Sequence, residues 1–264
     1  MRWMKFAGIC GIILLSISFI YFVLTSISYF ETISKVSVLN SLTGGDFPDT
    51  EFPAFSPGEG GGRILDWVIF IVMAFSGLFF YFGFTRLGHK TKNKLLTVSS
   101  WLLFGILAIF ILFVILGSFF SWFSSNSSSE ISLELFSSLT KFALYFFITL
   151  VGAFIFSSVL FFISLIQIRG EVKFSFPSGI LGLIAVFIQL GIIGFFLYFI
   201  GLLRSSDLLG ALGTLVNTLL FIFSVTGYLI FFLITLLHWV VYLFLTFSLF
   251  DGSKKYEIEG SDFL

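Results

Sequence analysis

The sequence predicts an all-α fold, a polytopic transmembrane bundle of six helical spans, with short interfacial helices on its outer face. Three observations carry this. Of 264 residues, 58% are hydrophobic and only 11% charged, whereas ordinary globular chains carry roughly 25% charged residues. Mean hydropathy is +1.11, and several uncharged runs reach the 18 or more residues that suit a helix crossing a bilayer. Lys and Arg gather in alternate connections, as they do where basic loops stay in the cytoplasm.

The first span is expected over 6–30, behind Arg2 and Lys5. A basic start before an apolar run also fits a secretory signal, with Ser26 and Ser28 small enough for cleavage. The run exceeds the length of a signal core, which favours a retained helix. Cys10 is the single cysteine, so no intramolecular disulfide can form.

The next segment, 31–63, reads as an outer polar loop. Gly44, Gly45, Pro48, Pro53 and Pro57 punctuate it, after an amphipathic piece containing Ile33, Val36, Val38, Leu39 and Leu42. Asp46, Asp49 and Glu51 offer hard oxygen atoms to calcium, but without EF-hand spacing they read as a solvated face.

The second span is expected over 64–84, with Trp67 at its interface, and the third over 98–120. Between them the stretch TRLGHKTKNKLLT carries Arg86, His89, Lys90, Lys92 and Lys94. Two readings suit this cluster: a signal that sets topology, or a contact for anionic lipid head groups. An outer connection follows over 121–140. Its Leu133, Phe136 and Leu139 share one helical face, the pattern of a helix lying in the interface. Asn126-Ser127-Ser128 matches the glycosylation acceptor triplet.

The fourth and fifth spans are expected over 142–168 and 178–203, joined by a turn holding Arg169, Gly170, Glu171 and Lys173, with Pro177 opening the fifth. The uncharged run 208–250 is ambiguous: 43 residues suit two spans, or an interfacial helix and one span. Asp207, Gly210, Thr214 and Asn217 recur at helical spacing on one face, which favours the interfacial helix and a sixth span over 224–250. A tail of 251–264 completes a single membrane domain, 1–264. Seven spans stay open as the alternative.

Charge supports six. The expected inner segments hold Arg2, Lys5, Arg86, Lys90, Lys92, Lys94, Arg169, Lys173, Lys254 and Lys255; the outer ones hold Lys35, Arg63, Lys141 and Arg204. Both termini are therefore expected in the cytoplasm, in a protein of the cell membrane. The basic turns recur at intervals that allow three copies of a helical hairpin, but no residue-level repeat accompanies them.

The spans hold no Asp, Glu, Lys or Arg away from their ends, which argues against ion-coupled transport, where such groups carry the coupling. Phosphate-binding glycine patterns, zinc His-Glu-x-x-His and Gly-x-Ser-x-Gly are missing too. Neither a catalytic residue, a cofactor nor a metal site is expected. The candidate functional polar residues within spans are His238 and Gln189. Each either lines a polar cavity or bridges helices as a hydrogen-bonding partner. Small residues at Gly8, Gly11, Ser16, Ser18, Gly152, Ser157, Ser158, Gly182, Gly191 and Gly194 are expected to allow close helix packing. The function expected is a non-enzymatic structural or interaction component of a membrane assembly; the alternative is a permease or channel for a neutral or apolar solute. Partners are the lipid bilayer and other membrane proteins or a second copy, not nucleic acid. A polar stripe of Ser157, Ser164, Gln189 and His238 along one cavity would favour the alternative.

Overall fold

The computed structural model describes residues 3–43, 62–126, 133–204 and 225–258. Within them the chain forms six long helices and no strand: α1 (Trp3–Thr43), α2 (Gly62–Lys90), α3 (Lys94–Asn126), α4 (Leu133–Gln167), α5 (Ser175–Arg204) and α6 (Val225–Ser253). A short π-helix, Lys254–Ile258, follows. Each long helix contains a stretch long and apolar enough to span a bilayer, so this is a multi-pass membrane protein.

The helices overrun the apolar stretches. At 41 residues α1 is roughly 60 Å long, about twice the ~30 Å hydrocarbon core. It continues through Thr43, so the amphipathic piece around Val36 belongs to the same helix as the first span. Likewise 133–139 is not a separate interfacial helix but the first two turns of α4. Asp46, Asp49 and Glu51 fall outside the described residues, as do Asp207, Gly210, Thr214 and Asn217.

Successive helices pack side by side in chain order, and α6 returns to pack on α1, which closes a ring. A smaller α2–α6 contact crosses it. The buried apolar core gathers at one end of that ring: Met4 and Ala7 of α1, Leu87 of α2, Leu96 of α3, Leu165 of α4 and Leu249 of α6. Lys5, Arg86, Lys90, Lys92, Lys94, Arg169, Lys173, Lys254 and Lys255 belong to the helix ends and turns that meet there. We call it the basic end.

Lipid-facing and interior positions invert the pattern of a soluble protein. Phe75, Leu112, Leu116 and Phe187 are exposed, while Ser99, Ser100, Ser164, Ser178 and Ser248 are fully buried. Their hydroxyls donate to carbonyls three or four residues back in their own helices, among them Ser100 Oγ to Leu96 O at 2.7 Å and Ser164 Oγ to Phe161 O at 2.6 Å. A serine satisfied this way is small and internally paired, so neighbouring backbones can come close.

Close approach recurs around the ring, and two crossings illustrate it. A Cβ on Gly83 of α2 would collide with that of Ala7 of α1. A Cβ on Gly179 of α5 would lie 2.9 Å from the Phe162 carbonyl oxygen and 3.1 Å from the Ile166 nitrogen, both backbone atoms of α4. Gly8, Gly11 and Gly182 also pack tightly, as expected. Gly152, Gly191 and Gly194 do not, since a Cβ there meets nothing within 4 Å, and Ser16 is exposed. The expectation of close packing fails at these four positions because they face outward, where lipid, not a helix, is the neighbour.

Candidate functional site

At the basic end the stretch around Lys92 is a tight turn, not an extended loop. Arg86 to Lys90 complete α2, and Lys94 begins α3. Lys92 takes the left-handed conformation, with φ of 53°. Its N–H donates to His89 O at 3.3 Å, and the N–H of Asn93 to Gly88 O at 3.0 Å. These two bonds constitute a Schellman motif, which satisfies carbonyls that the end of a helix leaves open.

Asn93 then serves three elements at once. Its Oδ1 accepts the Leu96 N–H at 2.9 Å and so caps α3. Its Nδ2 donates to Gln167 Oε1 at 3.2 Å and to Ser164 O at 3.4 Å, both in α4. Sequence reasoning passed over this residue. The available signal was an Asn separated by one residue from the run that begins at Leu95, close to the usual N-cap pattern. Its bonds to α4, the next helix around the ring, had no signal.

The π-helix braces the other basic turn. Tyr256 donates its hydroxyl to Glu171 Oε2 at 2.6 Å, Lys255 Nζ donates to Glu171 O at 3.2 Å, and Asp251 Oδ2 accepts the Lys173 N–H at 2.9 Å. Arg86, Lys90, Lys92 and Lys94 are all exposed, with the Arg86 guanidinium 5.2 Å from the centre of the Phe82 ring.

Deeper in the bundle, the structure brings the two polar span candidates together. Gln189 of α5 and His238 of α6 lie with Nε2 to Nε2 at 2.7 Å. The other ring nitrogen, Nδ1, is 2.7 Å from Ile234 O. A carbonyl can only accept, so Nδ1 carries the proton; Nε2 is then free to accept from the Gln189 amide. That is the pattern of a neutral imidazole whose two nitrogens are both used. The next residue, Trp239, donates Nε1–H to Ser18 Oγ of α1 at 3.0 Å and sits edge-on to Phe22, with ring centres 4.9 Å apart. Residues 238 and 239 thus tie α6 to both of its ring neighbours. None of the four residues of the polar stripe is in the wall of the cavity inside the ring: Ser157 and Ser164 are buried, and Gln189 and His238 bond each other.

A cavity of about 650 Å³ does lie inside the ring, walled by α1, α2, α3, α4 and α6. Leu14, Met73, Leu107, Phe110, Leu150 and Phe154 are among its walls. Toward the basic end it stops at interlocked aromatic rings: Phe80 and Tyr242 at 5.8 Å, Phe80 and Phe84 at 5.4 Å, and Phe84 and Phe161 at 5.0 Å between centres. The hydroxyl-bearing residues in its lining are Ser18, Tyr81 and Tyr242. Ser18 is engaged by Trp239, and Tyr81 and Tyr242 hydrogen-bond each other. Such walls give water almost nothing to bond to. Among the described residues every buried side-chain nitrogen and oxygen has a hydrogen-bond partner, and no group of three or more His, Cys, Asp and Glu side chains is placed to hold a metal ion.

The chain matches no protein-family model, no curated protein and no solved structure.

Proposed function

We propose that this protein is a non-enzymatic membrane component whose role is structural or interactive, with its basic end and both termini in the cytoplasm of the cell membrane. The observation that supports this best is the mutual satisfaction of His238 and Gln189. The polar groups that a transport route or a reaction would draw on are used to hold α5 and α6 together. The hydrogen bonds of Asn93, Asp251 and Tyr256 stiffen the basic end, as suits a platform for other membrane proteins or a second copy of the chain. The exposed Arg86, Lys90, Lys92 and Lys94 add attraction for anionic head groups, at about 1 kcal/mol per basic residue near the surface.

The apolar cavity favours a second reading, a permease or channel for a neutral or apolar solute. Purified protein in liposomes separates the two. Solute leak would be followed across the pH range in which imidazole titrates, for wild type, His238→Gln and His238→Leu. The structural reading expects no leak from any of them. A wild-type flux that follows pH and vanishes in His238→Leu would replace it with the transport reading.

A further inference from the structure

We propose that the cavity inside the ring is a binding site for a single hydrocarbon chain of the acyl type carried by membrane lipids. The proposal stands with either reading of function, because it concerns what the cavity holds and not whether that guest moves. Three features select the guest. The volume, about 650 Å³, falls within the roughly 300–1,000 Å³ of small-molecule sites. The walls are hydrocarbon, and the hydroxyls of Ser18, Tyr81 and Tyr242 are already bonded within the protein. A guest with polar groups would leave them unpaired at this depth, a loss that a saturated chain does not incur.

The third feature is a route from the bilayer. A groove of about 430 Å³ runs between α1 and α6, lined by Phe19, Ile20, Trp239 and Leu243. Phe19, Ile20 and Leu243 are exposed to lipid. Leu15 lines both this groove and the inner cavity. A chain entering along the α1–α6 seam passes Leu15, the side chain that groove and cavity share, and the Trp239–Ser18 hydrogen bond that joins the two helices. The aromatic rings of Phe80, Phe84 and Phe161 stop it short of the basic end.

Photocrosslinking tests this in the full-length protein. A phosphatidylcholine with a diazirine within one acyl chain is incorporated into nanodiscs, and a second set receives a diazirine fatty acid. Labelled peptides are then mapped by mass spectrometry. Lipid-facing Leu112 and Leu116 report the surrounding bilayer in every sample. The expected result is additional labelling at Met73 and Leu150, which face the cavity. Labelling from phosphatidylcholine identifies a membrane lipid as the source; labelling from the fatty acid alone identifies a free acid. Ala74→Phe, which fills the cavity, and Leu15→Trp, which obstructs the seam, are each expected to abolish labelling at Leu150 while labelling at Leu116 persists. The wild-type map alone suffices if either variant fails to fold. Labelling at Leu112 and Leu116 without any at Met73 or Leu150, from either probe, would overturn the proposal. So would cavity labelling that both folded variants leave unchanged.

Discussion

Asn93 shows how much one side chain can do where three helices meet. Its oxygen caps α3 and its nitrogen reaches α4, so two substitutions separate the roles. Asn93→Asp keeps the capping acceptor and loses the donor to Gln167; Asn93→Ala loses both. Capping by Asn is typically worth about 1 kcal/mol, and hydrogen bonds between membrane helices average about 0.6 kcal/mol. Thermal unfolding in detergent should therefore rank wild type above Asn93→Asp, and Asn93→Asp above Asn93→Ala. Equal stability of the Asp and Ala variants would show that the cap contributes nothing. Lys92, beside it, accepts a left-handed backbone without being glycine. The cost is on the order of 1 kcal/mol, offset by the two Schellman bonds that the conformation permits.

At the scale of helices, the decisive variable is which face each one turns to a neighbour. Gly179 and Gly152 have the same composition and opposite surroundings. At Gly179 an added methyl meets α4 backbone, which cannot rotate aside as a side chain can. Gly179→Ala should cost about 1–3 kcal/mol through overpacking, partly relieved by the better helix propensity of alanine. Gly152→Ala meets open space and should gain up to about 1 kcal/mol. Melting temperatures of the two variants in one detergent should move in opposite directions. A loss at Gly152 as large as that at Gly179 would mean that α4 packs along a different face. The same logic explains His238: α6 turns it toward Gln189, and an imidazole within apolar surroundings is stable there because both nitrogens are bonded.

For the whole molecule, the ring has two unlike ends. One holds the buried core, the aromatic stack and the basic residues; beyond the stack lies the hydrocarbon-lined cavity. Basic segments tend to stay on the cytoplasmic side during insertion, so the proposed orientation places the basic end in the cytoplasm. Single cysteines at Thr91, in the basic turn, and at Gly60 make this measurable against a Cys10→Ser background. In intact cells an impermeant thiol reagent should label position 60 and not position 91, and permeabilisation should expose position 91. The reverse pattern would invert the protein in its membrane.

Part of this architecture is legible in the sequence and part is not, for a definite reason. Hydropathy and length are properties of each segment alone, because every backbone group in hydrocarbon must be bonded within its own helix. The six apolar helices among the described residues, their order and the basic residues that mark one end therefore follow from the sequence by itself, whereas the tight turn at Lys92 does not. Segments 31–43 and 133–139 differ from expectation because amphipathic character does not mark a break there: the helices simply continue past the apolar stretch. How each helix is rotated about its axis had no such signal. In water an apolar stripe would mark the inner face. Here α1 to α6 are apolar all round, since lipid accepts outward-facing phenylalanine and leucine as readily as the interior does. Only the tertiary structure could therefore close the ring on α1, bring Gln189 to His238, separate the packed glycines from the idle ones, and leave a hydrocarbon-lined space at the centre.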